Sequence, residues 1–241
     1  MPEILERGDI YFAYRPRVDK FQVHGFKDIQ RLYLILKPRP AGRYRLLIIG
    51  HKQLPEVENG ARRPYWGFVE NVFQTPEELE RDLRGAGDQP AARAAGEGVY
   101  AIASHEGHTH LAYALELPEQ LGEVQAALHI EKEGSYLLSI KNPEQRSRAG
   151  VGLAPEQRAH FPEELQRRFE GRNFIDADPP RLLDYPGAEV LLIGAAEDVS
   201  QELGIELYPE HETAATADVF TELRLDRQQH PVEPLLRGVW R

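Results

Sequence analysis

The chain contains no cysteine. That excludes a disulfide framework, a thiolate nucleophile and a thiolate-bound metal, and it predicts a reducing, cytoplasmic setting. No apolar run approaches the roughly 20 residues with which a helix crosses a bilayer, so no membrane is expected as a partner. The segment Met1 to Arg7 carries Glu3 and Glu6 and lacks the apolar stretch of a signal peptide. Several catalytic signatures are also missing: there is no G-x-S-x-G elbow, no P-loop and no H-E-x-x-H. Gly150-Val151-Gly152 does not follow a strand and open a helix, as a dinucleotide fingerprint must. Ser104 beside His105 makes no triad, because neighbours on a strand point to opposite faces.

What is present is ordinary for a globular protein: 41% hydrophobic and 28% charged residues over 241 positions. That length accommodates one large domain or two small ones. Charge is unevenly spread. Residues 1–63 hold 13 Lys/Arg against 7 Asp/Glu, and the rest of the chain holds 16 against 32. Such asymmetry arises from a basic binding face, or from basic and acidic faces that meet within the chain or between subunits. The second case makes a homodimer a candidate assembly. A net charge of −10 opposes nucleic-acid binding.

The pattern reads as α+β, with mostly antiparallel β-sheet and a few short helices. Strands are expected at 10–15, 31–37, 44–50, 65–73, 135–141 and 189–194, with a weaker one at 218–225. Pro16 and Pro38 are read as stops, and Gly67 as a bulge. The second and third strands are almost continuously apolar, which suits a central strand or a closed barrel. Thr75-Pro76-Glu77-Glu78 opens a helix to about Arg84 with a capping box, and Gly85 ends it. Further short helices are expected at 161–171 and 197–203, and a polar or helical stretch at 119–132. Residues 51–64 and 176–187 read as loops, 144–160 as polar loop or weak helix, the Gly/Ala-rich segment 85–98 as a linker, and 232–241 as a tail.

The two halves echo each other in order. Gly8-Asp9-Ile10-Tyr11 resembles Glu97-Gly98-Val99-Tyr100, Leu32 to Pro38 resembles Leu111 to Pro118, and Tyr44 to Ile48 resembles Ser135 to Ile140. Pro76-Glu77-Glu78-Leu79 recurs as Pro162-Glu163-Glu164-Leu165. These echoes predict two related modules, residues 1–87 and 97–208, followed by a polar extension at 209–241.

Residues 97–118 read as a β-hairpin with a four-residue break containing Gly107, and carry three of the nine histidines within six positions. If its strands close at His105 and His110, those imidazoles face each other. His108 and Glu106 on the loop then complete a candidate metal set. The implied cofactor is a divalent transition metal such as zinc, with an open position for hydrolytic water. The plainer reading places His105 and His108 in a solvated turn, with His110 packed beside Tyr113.

Arg15, Arg17, Arg31, Lys37, Arg43 and Arg45 form the candidate anion-binding set of the basic half. Arg31 and Lys37 share strand parity with Tyr33 and Ile35, so one face mixes cations with aromatics, as an anionic ligand or nucleotide would need. Asp176, Asp178 and Asp184 cluster carboxylates around Pro179, which is turn chemistry. The expected function is a non-enzymatic ligand-binding or protein-interaction module whose partner is a small anionic ligand or a protein. A metal-dependent hydrolase on the histidine hairpin, and anion or nucleotide binding through the basic half, are the alternatives.

Overall fold

The computed structural model describes residues 2–18, 20–57, 63–146 and 152–241. Parts of the loops expected at 51–64 and 144–160, and Gly150-Val151, lie outside the described residues.

Nine strands form one antiparallel sheet: β1 (Glu3–Pro16), β2 (Ile29–Arg39), β3 (Tyr44–Ile49), β4 (Tyr65–Phe73), β5 (Arg93–His105), β6 (His108–Leu117), β7 (Glu133–Lys141), β8 (Phe174–Asp176) and β9 (Glu189–Ala196). Their order is β6-β5-β1-β2-β3-β4-β9-β7, and β7 pairs back onto β6, so eight strands close into a barrel. The short β8 extends the ladder on Ser139 to Lys141, beyond the part of β7 held by β6. Residues 3–73 and 93–196 each supply four strands to this ring. Closure satisfies the sheet edges and explains why β2 and β3 are apolar on both faces.

Strand parity sorts the side chains. Ile10, Phe12 and Tyr14 of β1 join Leu32, Leu34, Leu36, Tyr100, Tyr113, Tyr136 and Leu138 in one cluster that fills the lumen. The opposite parity carries Tyr11, Ala13, Tyr33, Ile35, Leu46 and Ile48, which face outward. This outer face is covered by α1 (Pro76–Arg84) and by the C-terminal helices α5 (Asp218–Thr221) and α6 (Glu233–Arg237), through Leu79, Leu83, Val219, Leu223, Leu225 and Leu235. A smaller outer patch, Ala101, Ala103 and Ala112, lies under α4 (Val199–Leu203). The remaining helices, α2 (Glu123–Leu128) and α3 (Glu163–Arg167), add Val124, Leu128 and Leu165 to the lumen cluster. No described helix is long and apolar enough to cross a membrane.

Several expectations are corrected. The Gly/Ala segment read as a linker is the buried start of β5: Ala94, Ala95 and Glu97 are almost inaccessible. Small residues are needed there, because a Cβ at Gly96 would stand 3.1 Å from the Phe12 ring. Pro38 does not stop β2; the β3 ladder already ends at Leu36, so the missing N–H removes nothing from it. Gly67 is not a bulge but a close approach, a Cβ there standing 2.7 Å from the Ile48 carbonyl oxygen, and the register shift lies beside Leu46 and Leu47. Residues 218–221 are helical rather than extended. The helix N-terminal N–H groups of Asp218 and Val219 find an acceptor in Glu97, 121 and 122 residues away, which no local pattern announces. The capping box of α1 is present as expected, with Thr75 accepting from Glu78 and Gly85 following at φ 80°.

Candidate functional site: a guanidinium-floored cleft

The histidine hairpin closes differently from its expected register. The turn is two residues, Glu106-Gly107, with φ of 50° and 82°, so His105 pairs with His108 and His110 lies opposite Ala103. His105 and His110 remain neighbours on the outer face, with ring centroids 6.1 Å apart. His108 is drawn toward Asp176 at 3.9 Å, and exposed Glu106 sits 3.8 Å from His105. Buried His110 points Nδ1 toward Glu202 at 3.9 Å, and Glu202 accepts the Ser135 hydroxyl. Burial holds the His110 imidazole below its ordinary pKa, with Glu202 opposing. Among the described residues, no group of three or more His, Asp or Glu is placed to hold a metal ion.

Of the six basic candidates, three are matched by acids from the second half of the chain. Lys37 bonds Glu222 and lies 3.7 Å from Asp9. Arg43 reaches Asp184 at 2.6 Å. Arg45 is buried at the mouth of the lumen, held by Asp184 at 2.7 Å and by both oxygens of Glu6 at 2.6 and 3.0 Å. Basic and acidic faces thus meet within the chain. Arg17 lies in the exposed loop after β1.

Arg15 and Arg31 are different. They sit directly opposite each other across β1 and β2, on the outer face, a like-charge juxtaposition that destabilises a sheet unless something intervenes. Both line a cleft of about 710 Å³ bounded by β2, β4 and α1, which also presents Asn71, Gln74, Arg81 and Gln89. Arg31 is half exposed and 3.5 Å from Glu70. Arg81 projects from α1 with no described partner.

Arg15 forms the floor. Its residue is 3% exposed, yet its acceptors are neutral: the Tyr33 hydroxyl at 2.8 Å, the Pro90 carbonyl at 2.9 Å and the Asp82 carbonyl at 2.8 Å. No described ion pair includes it. Three of its five N–H donors are used, leaving two. Gly85 makes room for it, since a Cβ there would stand 2.6 Å from Arg15 Nη1. Buried charges are ordinarily paired, and Arg45 in the same sheet follows that rule. Arg15 does not.

Sequence reasoning identified Arg15 and Arg31 but missed Arg81, Asn71, Gln74 and Gln89. Arg81 lies on the polar face of an amphipathic helix. Only the packing of α1 beside β4 brings it to the arginines of β1 and β2. Comparison with protein-family models, with curated proteins and with solved structures returns no match.

Proposed function

We propose that this chain is a non-enzymatic binding module that takes a small anionic ligand in the cleft between β2, β4 and α1. One observation carries the reading: a buried guanidinium, Arg15, whose hydrogen-bond partners are all neutral oxygens and which retains two donors at the floor of a polar cleft. An anion there would supply the missing counter-charge and relieve the opposition of Arg15 and Arg31. The lining offers guanidinium and amide donors, which suit directed hydrogen bonds to an anion, while the acidic Glu70, Glu78 and Asp82 in the same lining select against anions that those donors do not reach. Zero cysteine supports a cytoplasmic site of action.

The test uses sulfate, which stays a dianion across the accessible pH range. Calorimetric titration at constant ionic strength, with chloride as control, should give saturable binding near the millimolar range, about −4 kcal/mol. The side-chain amide resonances of Asn71, Gln74 and Gln89 should shift in step. Arg31→Ala/Arg81→Ala should weaken binding about tenfold or more. Sulfate that behaves like chloride would overturn the reading.

We also infer that the barrel arose by internal duplication. In support, β1-β2-β3-β4 and β5-β6-β7-β9 each occupy consecutive places and run round the ring in opposite senses, with the first strands paired with each other and the last likewise, as a two-fold relation requires. The Pro-Glu-Glu echo does not contribute, because α1 follows β4 whereas α3 precedes β9. Superposition of the four-strand halves in that order must align their backbones within about the deviation of related domains; failure to do so would remove the inference.

A further inference from the structure

The segment 206–237 does more than cover apolar surface of the sheet, because it also contacts α1, one wall of the cleft. Helix α1 is packed between the sheet and the segment 206–237. Leu79 and Leu83 of α1 share one cluster with Val219, Leu223, Leu225 and Leu235. Arg224 pairs with Glu77 at 2.5 Å. Buried His230 meets the Ala92 carbonyl through Nδ1 at 2.7 Å and lies 3.7 Å from Glu80, itself paired with Arg84. Ala92 in turn donates to Leu83 at 2.7 Å. The backbone so pinned, between Asp82 and Ala92, bears both carbonyls that position Arg15.

The surface under this segment is acidic. Glu97 of β5 is fully buried and accepts the N–H groups of Asp218 at 3.2 Å and Val219 at 2.9 Å. Glu116 of β6 accepts the Glu210 N–H at 2.7 Å. The segment adds Glu212, Asp218 and Glu222, and β1 adds Asp9 and Tyr11, whose hydroxyl is buried without a partner. The cations of β2, Lys37 and Arg39, engage Asp9 and, for Lys37, Glu222. No described cation pairs with Glu97 or Glu116.

On the reading given above for the cleft, we infer that residues 206–237 are a strap that clamps α1, and that ionising the carboxyl groups beneath it loosens the strap and weakens anion binding. Burial, opposed by the Val219 N–H and reinforced by Asp218 and Glu212, pushes Glu97 up to about 8. Burial likewise pushes Glu116 up to about 7, with Asp218, Glu212 and Asp9 adding to it. A carboxyl group whose pKa is raised in the docked state favours docking below its free value, near 4.3, and loses that contribution as pH rises through the docked value. The strap is therefore tight near pH 5 and loosens toward pH 8, by up to roughly tenfold per pH unit for Glu97.

The experiment compares pH 6 with pH 8.5 at equal ionic strength on the full chain. Trypsin cleavage after Arg224 and Arg227, corrected with an unstructured peptide, should accelerate about tenfold or more. Sulfate affinity should fall in parallel. In Glu97→Gln/Glu116→Gln both responses should flatten. His230→Gln, which frees α1 without touching the buried acids, should weaken sulfate binding already at pH 6. Cleavage that is equal at both pH values, or a double variant that keeps the wild-type response, would overturn the strap. A strap that opens while sulfate affinity stays constant would overturn the clamp alone, and absence of sulfate binding at both pH values would overturn the cleft reading.

Discussion

Arg15 and Arg45 are two buried guanidiniums of one sheet, and substituting each by methionine should give opposite results. Arg45→Met leaves Asp184 with Arg43 alone and strips Glu6 of its cation, keeping for it only the Tyr100 hydroxyl at 2.8 Å. Removing one partner of such a network costs about 3–5 kcal/mol. For a chain of this size each kcal/mol shifts Tm by about 2–4 °C, so a fall of roughly 10 °C is expected. Arg15→Met loses three hydrogen bonds to neutral oxygens, about 1–2 kcal/mol each. It also removes an unpaired charge whose burial costs several kcal/mol, and methionine refills much of the stem volume. The two terms nearly cancel, so the change should stay within about 1 kcal/mol of zero. Urea denaturation at constant m-value, in low salt without sulfate, measures both. Repeated with sulfate, it should stabilise wild type and Arg45→Met by the same increment, and Arg15→Met not at all. If Arg15→Met costs as much as Arg45→Met, or keeps the sulfate increment, Arg15 is compensated within the fold and the cleft loses its argument.

Three further outcomes are expected. Gln125 is fully buried, donating to the Ala95 and Pro234 carbonyls at 2.7 and 2.9 Å and accepting from Gly122 at 3.0 Å; Gln125→Ala should cost about 2–3 kcal/mol and expose the α6 region to amide exchange. Because burial depresses the His110 pKa, its contribution to stability is complete above the ordinary value near 6.5 and is lost as pH falls below it. His110→Phe should remove that loss in denaturation profiles between pH 5 and 8. Zinc titration should give the same calorimetric trace for wild type and for His105→Ala/His110→Ala; saturable uptake confined to wild type would restore the metal reading.

The proposed strap and cleft tie the uneven charge of the chain to its fold. The acidic C-terminal part serves as counter-charge for the basic first half at Lys37, Arg43 and Arg45. It leaves Arg15 without a described carboxylate.

Local chemistry alone determined much of this protein. Alternating or continuous β-branched and aromatic runs placed β2, β3, β4, β7 and β9 within a few residues. Thr75, Pro76, Glu78 and Gly85 delimited α1, because caps act over three or four positions and are written in the chain. What only tertiary structure decided shares one physical feature, namely partners far apart in sequence. The small residues Ala94, Ala95, Gly96 and Gly98 form a strand because Phe12 and the neighbouring backbone fill the space that side chains would otherwise occupy. Residues 218–221 turn helical because Glu97 accepts their first N–H groups. The hairpin register followed the left-handed pair Glu106-Gly107 rather than the histidines. The cleft exists because the β1–β2 register sets Arg15 against Arg31 and packing of α1 brings Arg81 beside them. Burial and electrostatic pairing depend on distances in space, and a linear pattern records those only where the contact is local.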